Sequence, residues 1–129
     1  MTEPGHIYPG QIYHVCREAD WAAALEQGRY DGSEDDRRDG FIHFSTRAQL
    51  RESVAKHRAG QQGLVLLEVD PEALGDALTW EPSRGGALFP HLYGPLSPGA
   101  VRRSWPLPLG TEGQHVFPDL DALNLEGDS

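Results

Sequence analysis

Three histidines, His14, His43 and His91, stand in short apolar segments of the chain. Imidazole is the side chain that normally changes charge near neutral pH, and it can donate or accept a hydrogen bond or bind a metal ion. Burying such a group among apolar residues costs free energy unless a polar partner is supplied. Three placements of this kind therefore predict a shared polar cleft.

The segment Phe41–Thr46 is typical of a strand that leads into a helix. Alternate side chains of a strand share a face, so His43 and Ser45 should point the same way. The free N–H groups at the start of the following helix favour an anion, and Ser45 and Thr46 are therefore candidates to bind a phosphate. The alternative is that one of these two hydroxyls only caps the helix and that His43 is a hydrogen-bonded core residue.

His91 and Tyr93 share a face if their segment is extended, and Pro90 and Gly94 frame it. We expect His43, His91 and Tyr93 to be the catalytic residues, positioning the reacting end of a ligand or moving a proton.

Two further polar residues lie between these segments. Arg84, next to two glycines, is a candidate to bind an anionic ligand, and Glu81, next to Trp80, is a candidate base or hydroxyl binder. A solvated arginine and an ion pair at a strand end are the structural alternatives.

Composition limits the class of protein. The chain has 129 residues and a net charge of −9, which disfavours a general nucleic-acid-binding surface. Its one cysteine, Cys16, allows neither an internal disulfide nor a CxxC metal site, and a buried, inert thiol is the usual state for such a residue. The chain shows no signal-peptide pattern and no apolar run near the ~20 residues that cross a bilayer, so we expect a cytoplasmic protein without membrane contact.

Periodicity and capping signals predict the elements. A helix over Glu18–Gly28 should bury Trp21 and Leu25, and a helix from Ser45–Arg47 to about Arg58 should bury Leu50 and Val54, because Thr46 and Gln49 have capping-box spacing. Residues 31–39 contain no apolar side chain and are predicted to be an exposed, mobile loop. A single helical turn is predicted over Asp70–Gly75. The predicted strands are Ile12–Cys16, Phe41–Phe44, Leu64–Val69, Leu78–Glu81 and Ala100–Leu107, with the segment Phe89–Gly94 placed between the last two.

These elements predict an α+β fold: a small single domain with a mixed, split sheet of about five or six strands and two packed helices. Residues 1–10 should be a loose lead-in, residues 11–109 the globular domain, and residues 110–129 an irregular or disordered tail.

Several segments together carry a family resemblance. They are Ile12-Tyr13-His14, Asp20-Trp21, Gly40–Thr46, Gln49, Leu64–Pro71, Trp80-Glu81 and Phe89–Leu96. In this combination the chain resembles the bacterial and plant family of unknown function known as DUF952. The resemblance covers about residues 11 to 107, and it implies a fold like that of ADP-ribosyltransferases, in which a split sheet holds NAD in a central cleft.

The resemblance also implies roles for individual residues. In enzymes of that fold a histidine or arginine on the first strand holds a ribose, and His14 stands at that position. A third motif often supplies a glutamate where His91 and Tyr93 stand here. The segment Phe89–Tyr93 contains no acidic residue, so Glu81 would have to supply that carboxylate.

The function that we expect is therefore binding of NAD or a related nucleotide such as ADP-ribose, with ADP-ribosyl or phosphoribosyl transfer as the chemistry. Affinity should rise as the pH falls toward 6, because a protonated histidine attracts an anion. Two alternatives stay open: a hydrolase with a divalent metal on the three histidines, and a module that only binds a ligand or a protein. We expect no metal, because the sequence has one cysteine and no closely spaced histidine pair.

Overall fold

Two antiparallel sheets separate at Phe44, in the middle of the segment that was predicted to be one strand. The computed structural model describes residues 10–83 and 86–118, and within them the chain forms seven strands and three α-helices. The strands are β1 Ile12–Arg17, β2 Ile42–His43, β3 Ser45–Thr46, β4 Leu64–Val69, β5 Leu78–Pro82, β6 Leu88–Leu92 and β7 Val101–Leu107, and the α-helices are α1 Glu18–Gln27, α2 Glu34–Asp39 and α3 Arg47–His57.

The first sheet has the order β3-β1-β4-β7 and the second has the order β2-β6-β5. The backbone N–H of Phe44 donates to the carbonyl oxygen of Pro90 at 3.0 Å, so the break between β2 and β3 is itself held against β6. The predicted α+β class and the split are confirmed. The prediction of a mixed sheet is wrong, since every strand pair within the described residues is antiparallel.

The four-stranded sheet is covered on both faces. All six residues of β4 are buried, which confirms the predicted central strand. One face packs Ile12 and Leu67 against α1 and the smaller sheet, while the other packs Leu66 against Leu50 and Val54 of α3. Alternation along β1 and β4 thus supplies both halves of the core.

Buried Glu68 on β4 adds an ionic contact to this core. Its carboxylate accepts hydrogen bonds from the hydroxyl of Tyr13 at 2.9 Å and from Nε of Arg103 at 2.8 Å. A buried carboxylate needs such partners, and here both come from the neighbouring strands β1 and β7.

Capping explains where the helices lie. The predicted capping box of α3 is present, with Thr46 and Gln49 satisfying each other's backbone N–H groups. In α1 the buried residues are Trp21 and Ala24, while Leu25 is 57% exposed, so the prediction for Leu25 is wrong. The core therefore contacts the helix face that Trp21 shares with Ala24, three positions later, and not the face that it shares with Leu25, four positions later.

The predicted loop at residues 31–39 is also wrong, because Glu34–Asp39 form α2 with its own capping box between Ser33 and Asp36. The single turn predicted after Asp70 is a 3-10 helix over Pro71–Ala77, capped by the Asp70 side chain.

Some predictions fall outside the described residues. These include Arg84, residues 1–9 of the predicted lead-in and residues 119–129 of the predicted tail. Residues 110–118 contain a turn, and His115 forms an isolated bridge with Leu109. Among the helices that the structure describes, none is long and apolar enough to cross a bilayer.

Candidate functional site

The three predicted histidines meet at one cleft between the two sheets. His14 comes from β1, His43 from β2 and His91 from β6, and all three line a cleft with a volume of about 230 Å³. His43 and His91 are paired across β2 and β6, and their ring centroids are 5.6 Å apart. The predicted convergence is therefore confirmed, whereas the roles of these residues remain predictions.

His14 is buried, with 4% of its surface exposed, and both ring nitrogens are engaged. Nδ1 lies 2.6 Å from the carbonyl oxygen of His43, so it carries the proton and donates it. Nε2 then accepts from the hydroxyl of Tyr30 at 2.8 Å. Burial lowers the pKa of His14, although the nearby Asp36 carboxylate opposes that change. A neutral His14 without a spare nitrogen supports the structural alternative over the predicted ribose contact.

Asp36 is the centre of this cluster, and the sequence interpretation did not predict its burial. Its side chain is 3% exposed, on α2. Oδ1 accepts from Nδ1 of His43 at 2.5 Å and from the His43 backbone N–H at 3.1 Å, while Oδ2 accepts from the Ser33 N–H at 2.8 Å. Burial raises the pKa of Asp36, but the hydrogen bonds from His43 and Ser33 outweigh it and hold the pKa well below its usual range. Asp36 is thus an anion at neutral pH.

His43 is held between two carboxylates. Besides its bond to Asp36, its Nε2 lies 3.0 Å from Oδ2 of Asp39. The hydrogen bond to Asp36 raises the pKa of His43, and partial burial offsets only part of that rise. His43 therefore carries a positive charge up to a higher pH than an ordinary histidine.

A second carboxylate–histidine pair lies on the smaller sheet. Oε1 of Glu81 is 2.7 Å from Nδ1 of His91, and the Tyr93 hydroxyl donates to the same oxygen at 2.7 Å. The bond from His91, and then that from Tyr93, lowers the pKa of Glu81. Because an ionised carboxylate only accepts, Nδ1 of His91 carries a proton and Nε2 is the nitrogen left for a ligand.

An aromatic cluster surrounds this pair. The Phe41 ring stacks on the His91 ring with centroids 4.0 Å apart, and it also contacts His43 at 4.6 Å and Tyr93 at 5.2 Å. Tyr93 is exposed. The cluster offers a planar surface next to the polar groups.

The phosphate site predicted at Ser45 and Thr46 is only partly accessible from the cleft. Thr46 caps α3 through its hydroxyl, which supports the capping alternative for that residue, and it does not line the cleft. Ser45 does line the cleft, and its hydroxyl donates to that of Ser53 at 3.1 Å. Glu81 and Tyr93 lie beside His91 but are not part of the cleft lining.

Several polar lining residues were missed by the sequence interpretation, among them Asp36, Asp39, Ser53, His57 and Arg58. A signal existed for some of them. Ser33 and Asp36 have the three-residue spacing of a helix cap, and Ser53 and His57 each follow a buried residue of α3 by three positions, on the same face.

The metal alternative finds no support in the geometry. Within residues 10–83 and 86–118, no group of three or more histidine, cysteine, aspartate or glutamate side chains is arranged to hold a metal ion. His14 also has both nitrogens occupied. The thiol of Cys16 is buried, and burial raises its pKa to about 12, so it is a protonated, inert group.

Fold and site together define a small α+β domain with a histidine- and aspartate-lined cleft between two antiparallel sheets. The chain belongs to the family described as protein of unknown function (DUF952), whose model matches residues 15–104, and the sequence resemblance is thereby confirmed.

Solved structures agree with this assignment. Protein CC0527 from Caulobacter crescentus is 49% identical in sequence to this chain. Its crystal structure matches with a TM-score of 0.80 over 82% of this chain and 93% of that one. The solution structure of the same protein matches with a TM-score of 0.74 over 89% of this chain and 97% of that one. The comparison with curated proteins found no match. None of these structures shows the expected likeness to ADP-ribosyltransferases, which stays a prediction.

Proposed function

We propose that the cleft binds NAD or a related nucleotide and that Glu81, which lies beside the lining residue His91, supplies the carboxylate needed for ADP-ribosyl transfer. The observation that supports this most directly is the pair of hydrogen bonds from His91 and Tyr93 to Glu81. The segment Phe89–Tyr93 lacks an acidic residue of its own, and the neighbouring strand β5 brings one to it.

The carboxylate suits the chemistry. Breaking the bond between ribose and nicotinamide builds positive charge on the ribose, and a fixed anion beside that centre stabilises the transition state. Oε1 of Glu81 is held by two donors, and Oε2 has no hydrogen-bond partner among the described residues, so it can accept from a ribose hydroxyl. The lowered pKa of Glu81 keeps it ionised.

The aromatic cluster suits the leaving group. The nicotinamide of NAD is a cationic ring, and Phe41 and Tyr93 offer aromatic faces beside the Glu81 carboxylate. Nε2 of His91 can accept a proton from the attacking water or hydroxyl, since Glu81 holds the proton on Nδ1. The net charge of −9 does not forbid an anionic ligand, because it is screened over about 8–10 Å, whereas a basic lining residue such as Arg58 acts at contact distance.

The test compares Glu81→Gln with Glu52→Gln, an exposed glutamate on α3 that does not line the cleft. Calorimetry measures binding of NAD and ADP-ribose, and release of nicotinamide measures turnover. We expect Glu81→Gln to lower turnover by about 100-fold or more with little change in affinity, as loss of one transition-state contact does. Glu52→Gln should change neither.

Two results would contradict the proposal at different points. Absence of binding to NAD and ADP-ribose at millimolar ligand would show that the cleft is not a nucleotide site. Binding without any turnover would leave the nucleotide site standing and would remove the catalytic role of Glu81.

A further inference from the structure

One side of the cleft is formed by a face of α3 and the residue that follows it. We call this side the α3 wall; its lining residues are Leu50, Ser53, Val54, His57 and Arg58. The α3 wall contains no carboxylate, whereas the α2 side of the cleft contributes Asp35, Asp36 and Asp39 to the lining. The two sides therefore differ in charge.

The charges on the α2 side neutralise one another. Arg38 lies 3.2 Å from Asp35 and 3.6 Å from Asp39, and His43 bonds to Asp36 and Asp39. Each of these groups thus has an opposite charge at short range.

Arg58 differs from them. It is half-buried, and its guanidinium contacts two neutral oxygens, the Val15 carbonyl at 3.3 Å and Oε1 of Gln61 at 3.4 Å. No ion pair joins it to a carboxylate within the described parts of the chain. Removing a cation from water without an opposite charge is costly, and two long bonds to neutral oxygens offset that cost poorly.

The place of Arg58 explains how it is held there without a ligand. It is the C-cap of α3, where the partial negative charge of the helix end attracts a cation. That attraction uses none of its N–H donors. Two of the five donors bond to Val15 and Gln61, and the other three are suited to a phosphate that binds through two oxygens.

We propose that Arg58 is the anion-binding residue of the cleft and that it takes the pyrophosphate of the nucleotide. This inference rests on the proposed function and adds the orientation of the ligand. The pyrophosphate lies on the α3 wall, and the cationic nicotinamide lies toward Glu81 and the aromatic rings of Phe41 and Tyr93. The phosphate site is then at the C-terminal end of α3, not at the corner predicted from Ser45 and Thr46.

The test uses three ligands and three variants of the full chain. The ligands are inorganic pyrophosphate, ADP-ribose and nicotinamide riboside, which has no phosphate. Arg58→Met should weaken the first two by about 10- to 100-fold and leave the third unchanged, as expected for a charge-assisted hydrogen bond. Lys56→Met removes the same charge from an exposed position of α3 outside the cleft lining and should change none of them.

Arg58→Lys is the control for a purely structural effect of losing Arg58. It keeps the charge and loses the two-pronged geometry, so its loss of affinity should lie between wild type and Arg58→Met. If Arg58→Met does not fold, as judged by circular dichroism, the comparison of Arg58→Lys with wild type decides, and an unchanged affinity for pyrophosphate would overturn the proposal.

The outcomes separate this inference from the proposed function. Binding of ADP-ribose that is equally strong in wild type and Arg58→Met would refute the Arg58 site and leave the nucleotide site intact. Binding of pyrophosphate through Arg58 without binding of NAD or ADP-ribose would support the anion site and refute the nucleotide function. If wild type binds neither pyrophosphate nor ADP-ribose, the Arg58 site is wrong.

Discussion

Two carboxylate–histidine pairs lie a few ångströms apart in this molecule, and they differ chiefly in burial. Asp36 bonds to Nδ1 of His43 with 3% of its side chain exposed, whereas Glu81 bonds to Nδ1 of His91 with 35% exposed. The bond chemistry is the same in both pairs. What differs is how many donors the protein itself supplies to each carboxylate.

Asp36 takes its hydrogen bonds from two backbone N–H groups and one imidazole, so the fold already uses three of about four acceptor sites on this carboxylate. Glu81 takes its bonds from the side chains of His91 and Tyr93, both on one oxygen. The Asp36 pair therefore stabilises the fold, and the Glu81 pair is the one that a ligand can use. Substitutions at the Asp36 pair should therefore change the stability of the fold, and substitutions at the Glu81 pair should change function.

The largest effect should come from Asp36→Ala. The substitution removes a buried anion from beside His43 and deletes half of the capping box of α2. Breaking a buried pair by removing one partner costs roughly 3–5 kcal/mol of unfolding free energy. Urea unfolding at pH 7 measures this difference.

The control is Asp35→Ala on the same helix. Asp35 is 68% exposed and pairs with Arg38 at the surface, so its loss should cost less than about 1 kcal/mol. Equal effects of the two substitutions would contradict the idea that Asp36 is a structural centre.

A matched pair of tyrosines gives the next largest effect. The Tyr30 hydroxyl donates to buried Nε2 of His14, whereas the exposed Tyr93 hydroxyl donates to Glu81. Tyr30→Phe leaves a buried acceptor without a donor and should cost about 1–3 kcal/mol. Tyr93→Phe should leave the urea midpoint unchanged and alter turnover of NAD. The comparison fails if Tyr93→Phe destabilises the protein as much as Tyr30→Phe does.

The same contrast explains what could be predicted from the sequence. The α3 helix was predictable because Thr46 and Gln49 mark its start and Leu50 and Val54 mark its buried face. Those signals are local, and local propensity agrees with the fold there.

The segment 31–39 was misread because its buried residue is an aspartate. Its polar composition is typical of a loop, and burial of Asp36 becomes favourable only once His43 and the Ser33 backbone supply hydrogen bonds to it. Glu81 was a candidate carboxylate in the sequence, but its bond to His91 depends on the register between β5 and β6. Local patterns therefore located the histidines and Glu81, whereas the pairing of each histidine with its carboxylate required the tertiary structure.

The smallest effect is the pH dependence of stability, in which His14 and His43 act in opposite directions. The pKa of His43 is raised above 6.5, so its contribution is complete below pH 6.5 and is lost as the pH rises through the raised pKa. The pKa of His14 is lowered, so its contribution is present above pH 6.5 and is lost as the pH falls. The unfolding free energy should therefore peak near neutral pH and fall along an acidic limb and an alkaline limb.

His43→Gln should flatten only the alkaline limb. The change should be less than about 1 kcal/mol, because the ring is partly exposed to solvent. The control is His115→Gln, which lies outside the cleft lining and should leave both limbs in place. Urea unfolding between pH 5 and 9 measures both limbs. An alkaline limb that survives in His43→Gln would assign it to another group and would remove the argument that His43 is the cation of the buried pair.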